Sequence, residues 1–339
     1  MNKVTIDDIA KVAGVSKSTV SRVLHGKVAV HPDKKNAVLT ATRRLGFKPN
    51  IVAQSLASGR SMTIGVLTQN MGSPFYDAIA QGVIAGLSNS NYSPIFADGQ
   101  WQIPKELSAL QSLVGRRVDG LVLIGGGISS QQLEDSCEGL PTVIVARTFE
   151  ESYYRCISMD NAGGGYAVTR HLLDRGHRKI AIIRGLPHHA DAIERYQGYC
   201  RAIEEFGLVP DPRLVVESDF SPASGITAVN ELIKRGETFT AIFAANDLTA
   251  FGARLALDQH GLRVPGDVSL IGFDDQLESA YMTPPLTTYR QPAREMGQYA
   301  ATAILKLLQG EVFTSIQVPG ELIIRQSVRD LSAATAKYP

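Results

Sequence analysis

Thr5-Ile6-Asp7-Asp8-Ile9-Ala10-Lys11-Val12-Ala13-Gly14-Val15-Ser16-Lys17-Ser18-Thr19-Val20-Ser21-Arg22-Val23-Leu24 encodes two short helices joined by a tight turn. Ile6, Ile9, Ala10 and Ala13 recur at helical spacing and make one apolar face. Gly14 tolerates the positive φ that a turn between crossing helices needs, and Ser16 suits the N-cap of the second helix. In that helix Val20, Val23 and Leu24 face inward, while Lys17, Ser18, Ser21 and Arg22 line the opposite side. Small and basic side chains near a helix N-terminus fit a major groove and reach base edges. An ordinary helical hairpin with a solvated charged face has the same pattern, so the stretch taken alone leaves both readings open.

Charge separates them. Residues 1–60 hold eleven Lys and Arg against three acidic residues, net +8, whereas the rest of the 339-residue chain holds 23 against 30, net −7. A small basic module on a mildly acidic body is expected when only the module touches a polyanion. A merely solvated basic face gives no reason for the bias to stop at Arg60. A third helix is expected from Pro32 to Leu45, with Ala37, Val38, Ala41 and Leu45 closing a three-helix core before Gly46 and Pro49 end it. Residues 50–60 follow, with Asn50 as an N-cap and Gly59 as a stop. At about nine residues, this segment is below the roughly 12 to 15 that an isolated helix needs. It is expected to be a linker that becomes helical only with support.

Beyond it, short runs rich in Val and Ile alternate with longer helical patterns. The expected strands are Thr63 to Leu67, Pro94 to Ala97, Gly120 to Ile124, Thr142 to Ala146, Lys179 to Ile183, Ala241 to Ala244 and Val268 to Gly272. Such alternation predicts parallel sheets wrapped by helices, and the length suits two lobes. No run approaches the roughly 20 apolar residues of a membrane span. Cys137, Cys156 and Cys200 are odd in number and show no pairing or metal-ligand spacing. A reducing cytoplasm is the expected location.

The N-terminal pattern, the segment Phe47-Lys48-Pro49-Asn50 through Leu56, and motifs farther on resemble the lactose/galactose repressor family of bacterial transcription regulators over essentially the whole chain. The resemblance implies a helix-turn-helix head over 1–49, a hinge helix over 50–60, a two-lobed α/β body over 61–331 similar to periplasmic sugar-binding proteins, and a tail over 332–339. It implies that Lys17, Ser18 and Arg22 read bases and that Thr19 and Ser21 contact phosphate. His25 stands where the family usually has Asn, and Lys34-Lys35 replace a common Thr-Arg; these positions still suit phosphate. Paired hinges insert a leucine into the minor groove, which partly unstacks a base step. The match places that wedge at Leu56, with Ala53 allowing close helix approach. Taken alone, Leu56 reads as a buried linker leucine.

In the family three strands cross between the lobes, here near Met159, Tyr289 and Gly320, and a small effector sits in the cleft. Ligands on open parallel sheets bind at the carboxyl ends of strands. Asp98, Arg147, Asn246-Asp247 and Asp274-Asp275 occupy such ends. By motif, Asn246, Asp274 and Arg195 resemble the family's effector contacts, and Phe220 falls where the family has an aromatic ring. Phe75 and Tyr76 suit the opposite wall, and Tyr166 is a further candidate. Asp247 and Asp275 can equally be N-caps, and Phe75 or Phe220 core residues. His188-His189 lack a third metal ligand and read as loop surface. Gly125-Gly126-Gly127 and Gly163-Gly164-Gly165 lack a dinucleotide-binding spacing and are expected to allow backbone approach to the cleft. Trp101 is the only tryptophan.

The expectation is therefore a repressor that binds a near-palindromic DNA operator as a homodimer, controlled by a small effector, a sugar by preference, although Asp, Asn and Arg around aromatics would equally serve a sugar acid or a purine. No cofactor, metal or membrane is expected. A tail without leucine heptads favours a dimer over a tetramer. A sugar-binding transport protein and a sugar-active enzyme on the same body fold are the alternatives. The basic head opposes the first, and the lack of a nucleophile elbow, phosphate loop or zinc signature opposes the second.

Overall fold

The structure is a computed structural model that describes residues 4–25, 30–47, 59–149, 154–187 and 189–332. The chain divides into two compact units, with the boundary after Ser61.

The first unit contains α1 (Ile6–Ala13), α2 (Lys17–His25) and α3 (Pro32–Arg44). The backbone N–H and hydroxyl of Thr5 donate to the Asp8 carboxylate at 2.9 and 2.7 Å, which secures the start of α1. These bonds hold the Asp8 carboxyl below its usual range. Gly14 ends the helix at φ 64°. Ser16 Oγ then accepts from the Thr19 N–H at 3.3 Å, the cap expected of it. Ile9, Ala10, Val20, Val38 and Ala41 are buried together, with Leu24 and Leu45 packed against them.

In the second unit β1 (Thr63–Thr68), β2 (Ser93–Asp98), β3 (Gly120–Ile124), β4 (Thr142–Val145) and β5 (Arg155–Ser158) alternate with α4 (Pro74–Leu87), α5 (Ile103–Gly115) and α6 (Ser130–Cys137). A second series runs α7 (Asn161–Asp174), β6 (Ile180–Arg184), α8 (Ala190–Glu205), β7 (Val215–Glu217), α9 (Pro222–Lys234), β8 (Ala241–Ala244), α10 (Asp247–Gln259), β9 (Ser269–Asp274) and β10 (Thr287–Arg290). The chain closes with α11 (Ala293–Leu308), β11 (Ile316–Gln317) and β12 (Glu321–Ile323). Two six-stranded sheets result, ordered β11-β5-β4-β3-β1-β2 and β12-β10-β9-β8-β6-β7. All strand pairs are parallel except β12 with β10, an antiparallel edge on an otherwise parallel sheet.

Every residue of β3 and β4 is buried, as expected for strands covered by helices on both faces. Met296, Ala300 and Ile304 of α11 join Ile64, Val66 and Val122 in one core, so this late helix belongs to the first lobe. The chain thus passes between sheets after β5, after β10 and between β11 and β12, next to the three expected crossing points. The sequence reading omits β5, β7, β10, β11 and β12. β7, β11 and β12 have only two or three residues, and β5 and β10 carry Arg155, Ser158, Thr287, Thr288 and Arg290, so no apolar run stands out.

One glycine reading is corrected. Gly163-Gly164-Gly165 lie in the first turn of α7 and not on the cleft. A Cβ on Gly165 strikes the Arg195 carbonyl, and one on Gly198 of α8 strikes the Ala162 carbonyl. These glycines let α7 and α8 pack backbone to backbone, and that contact fixes where α8 presents Arg195.

Candidate functional site

In the first unit, Lys17, Ser18 and Arg22 are exposed on the outer face of α2, with Thr19 and Ser21 partly buried beside them. Ser16 Oγ lies 2.9 Å from both Ser18 Oγ and Thr19 Oγ1, so a hydroxyl cluster surrounds the start of the helix. Lys17 Nζ pairs with Asp7 Oδ1 at 2.6 Å across the turn, with most of the lysine side chain exposed. Exposed pairs contribute about 0–1 kcal/mol, so this one holds the ammonium only weakly. Lys34 and Lys35 are exposed in the first turn of α3. The His25 side chain, Ala53, Leu56 and the rest of the expected hinge through residue 58 lie outside the described residues.

In the second unit, loops at the carboxyl ends of both sheets enclose a cavity of about 620 Å³ and an adjoining chamber of about 310 Å³. These volumes suit a small organic ligand. The first lobe contributes Phe75, Tyr76 and Trp101; the second contributes His189, Asp191, Arg195, Phe220, Asn246 and Asp274. Each lies at or just past a strand end or in the first turns of the helix that follows, so the parallel topology brings together residues far apart in sequence.

Arg195 is almost fully buried. Its Nε donates to Asn161 Oδ1 at 3.0 Å and one terminal nitrogen donates to the Ala245 carbonyl at 2.6 Å. Its second terminal nitrogen lies 3.7 Å from Asp191 Oδ2, and its guanidinium carbon lies 3.9 Å from the centroid of the Phe273 ring. Asp274 accepts from Gln291 Nε2 at 2.6 Å and from Gln276 Nε2 at 3.3 Å. Burial raises its carboxyl above the usual range, opposed chiefly by the charge of Arg195. Asn246 caps α10: its Oδ1 accepts from the Thr249 N–H at 2.9 Å, while its Nδ2 donates to the Phe220 carbonyl at 3.1 Å. One side chain therefore starts a helix and fixes the aromatic wall. Phe75 and Phe220 line the cavity, and Arg147 lines the adjoining chamber, donating to the Ile128 carbonyl at 2.7 Å.

Two expected residues are not brought to the cavity. Asp98 accepts from the Met71 and Gln100 N–H groups at 3.1 and 2.9 Å, which braces loops at the ends of β1 and β2. Tyr166 donates to Glu205 Oε2 at 2.7 Å from α7 to α8, away from both chambers. The neighbours of Asn246 and Asp274 differ sharply from them. Asp247 is fully buried and accepts from Ser279 Oγ, Thr288 Oγ1 and the Gln276 N–H at 2.6, 2.6 and 2.8 Å. Asp275 is no N-cap: its carboxylate pairs with Arg290 and Arg325 at 2.7 and 2.6 Å.

The loop-surface reading of His189 is overturned. Its ring is buried and stacks on Trp101 at 4.1 Å and on Phe220 at 5.7 Å, within a run that continues through Tyr76 to Phe75. His188 lies outside the described residues. Gln291, Asp191 and Glu106 also escape the sequence reading. Glu106 accepts from the Gly127 N–H at 3.0–3.1 Å, and burial raises its carboxyl. A Cβ on Gly126 meets Gln69 and Glu106 at 2.7 Å, so this glycine run does admit close packing beside the chamber. The available signal was positional: Asp191 and His189 precede Arg195 on the loop and first turn leaving β6, and Gln291 follows β10.

A helix-turn-helix head followed by a two-sheet body with a ligand-sized cleft defines a ligand-responsive DNA-binding regulator. Residues 5–50 match the model for bacterial regulatory proteins of the lacI family, and residues 169–328 match a periplasmic binding protein-like domain. The HTH-type transcriptional repressor PurR of Haemophilus influenzae (strain PittEE) is 35% identical over 334 residues, covering 96% of this chain and 99% of that protein. Among solved structures, the lac repressor dimer bound to operator and the anti-inducer ONPF matches with a TM-score of 0.89 at 28% identity, covering 97% of this chain and 100% of that one. The complex of the transcriptional regulator CelR with cellobiose matches with a TM-score of 0.72 at 33% identity, covering 96% and 100%. The chain belongs to the lacI family of bacterial transcriptional regulators. No helix among the described residues is long and apolar enough to cross a membrane.

Proposed function

We propose that this chain is a cytoplasmic repressor that binds a near-palindromic operator as a homodimer, and that a sugar held between the two lobes shifts its grip on DNA. The observation that carries this reading is the convergence of Arg195, Asn246, Asp274 and the Phe75 and Phe220 rings on one cavity at the carboxyl ends of both sheets. Hydroxyl-rich ligands need charged or amide partners at close range and an apolar face beside them, and the cavity supplies both. The relatives support the rest: one solved structure is a lac repressor dimer on its operator, another a regulator with cellobiose.

In this reading residues 1–49 form the head, 50–60 the hinge, 61–331 the body and 332–339 the tail. Lys17, Ser18 and Arg22 read bases; Thr19, Ser21, His25, Lys34 and Lys35 hold phosphates; Leu56 wedges the minor groove once the hinge is helical. A ligand that prefers one lobe arrangement shifts DNA affinity only by its differential affinity, about 1 to 3 kcal/mol in typical cases. The role is binding, and no reaction is assigned to the cleft.

Duplex binding by the full-length protein, measured by fluorescence anisotropy across a salt series with and without sugars, tests this reading. The expected result is duplex affinity that falls steeply with salt and changes about 5- to 150-fold with the effector sugar. Salt-insensitive binding, or the absence of a duplex preference, removes it.

A further inference from the structure

The charge of the ligand can be read from the cleft, on the assumption that the cleft is the effector site. Four carboxylates line the two chambers: Asp191, Asp219, Asp274 and Glu106. Among the described lining residues there are two arginines and no lysine. Arg195 spends its Nε on Asn161 and one terminal nitrogen on the Ala245 carbonyl, and its other terminal nitrogen already has the Asp191 carboxylate 3.7 Å away. Arg147 donates to the Ile128 carbonyl, lies 4.3 Å from the centroid of the Phe149 ring and has the charge of Glu106 beside it. The remaining basic side chain on the walls, His189, is stacked against Trp101 and Phe220.

Helix N-termini are the other source of positive potential in such clefts. Helices α4, α5, α8, α9 and α10 begin here: α9 and α10 are capped by Ser221 and Asn246, and α4, α5 and α8 carry Asp77, Glu106 and Asp191 in their first turns. Asp77 lies in the first turn of α4 and accepts from the Gly72 N–H at 3.2 Å. Asp191 accepts from the Ala192 N–H at 2.9 Å, at the start of α8. Ser221 Oγ accepts from the Ser224 N–H at 3.2 Å, and Asn246 Oδ1 caps α10. An incoming phosphate or carboxylate thus meets a capping acceptor or a carboxylate at each of these helix ends and further carboxylates on the walls, all of which oppose its charge.

We infer that the effector bears no negative charge: it is a sugar recognised through hydroxyls that donate to the cleft carboxylates, and phosphorylated or acidic sugars are rejected. Thermal-shift titrations of the full-length protein test this with glucose, galactose, ribose, sucrose and cellobiose set against glucose 6-phosphate, ribose 5-phosphate, gluconate and galacturonate. At least one uncharged sugar is expected to stabilise the protein saturably, and its charged counterparts to bind at least tenfold more weakly. A phosphorylated or acidic sugar that binds more tightly than its parent overturns the inference and leaves the sugar reading standing. Silence across both halves of the panel removes the sugar reading and the inference together. The double substitution Asp191→Asn and Asp219→Asn is expected to narrow the discrimination by about tenfold, since it removes two like charges from the walls. An unchanged ratio overturns the charge argument.

Discussion

Trp101 and His189 stack across the cleft with ring centroids 4.1 Å apart and ring planes at 23°. One ring follows β2 in the first lobe and the other precedes α8 in the second, so the pair joins the lobes. Trp101 is the only tryptophan in the chain. Its emission should therefore report ligand entry without a label. A saturable change in fluorescence is expected with any sugar that raises the melting temperature, and His189→Ala should alter the unliganded spectrum. A spectrum that stays constant while thermal shift shows saturation argues against the pair lying at the binding site.

Asp274 provides a pH test. Burial holds its carboxyl above the ordinary value, so the unliganded fold favours the protonated form. Its contribution to stability is full below the unfolded carboxyl range and is lost as pH rises through the folded value. Hydroxyls that donate to the carboxylate favour the ionised form, so sugar affinity should rise with pH across that same window. Asp274→Asn should reduce the pH dependence, to which the nearby buried carboxyl of Asp247, also raised by burial, contributes, and weaken the sugar by about ten- to a hundredfold, the range for a charged hydrogen bond. Titration calorimetry at several pH values decides this; a variant with unchanged affinity places Asp274 outside the contact set.

Asp247 is expected to behave oppositely. Ser279, Thr288 and the Gln276 N–H all donate to it, and a Cβ on Gly272 strikes it. It ties α10 to the strands β9 and β10 from inside. Asp247→Ala leaves three buried donors without an acceptor, at about 1–3 kcal/mol each before relaxation. Urea unfolding should show a loss of about 3 kcal/mol or more, and a loss under 1 kcal/mol refutes the clamp.

On the DNA side, two kinds of contact give two signatures. Arg22→Ala should cost about 1–3 kcal/mol on the cognate operator and relax the preference at one base position, as loss of a bidentate guanine contact does. Lys35→Ala should weaken all duplexes alike and reduce the salt slope by about one. Anisotropy titrations on operator and scrambled duplexes separate them. Equal losses for Arg22→Ala on both duplexes would mean that it holds phosphate.

Much of the head was legible because its signals are local. Gly14, Ser16 and the spacing of Ile9, Ala10 and Val20 act within a few residues, and the structure places them as their periodicity requires. In the body, strands that form continuous apolar runs were legible, the four-residue β4 and β8 included, and the shorter or more polar ones were not. The cleft was legible in part. Arg195, Asn246 and Asp274 reach the cavity by motif and strand end. Asp98 also stands at a strand end, but nearby backbone N–H groups take both of its oxygens.

The chain by itself determined its class: a basic helix-turn-helix ahead of an alternating, apolar α/β body, with polar residues after the strands. Only the tertiary structure decided which polar side chains face the cavity. Asp247 and Asp274 are both strand-end aspartates, yet one is consumed by three internal donors and the other lines the cavity. His189 looked like loop surface until Trp101, 88 positions earlier in the chain, was folded against it. Periodicity encodes a residue's relation to its own helix or strand. Convergence on a cleft depends on sheet order and on helix contacts such as Gly165 against Arg195 and Gly198 against Ala162, and no short window of sequence contains these.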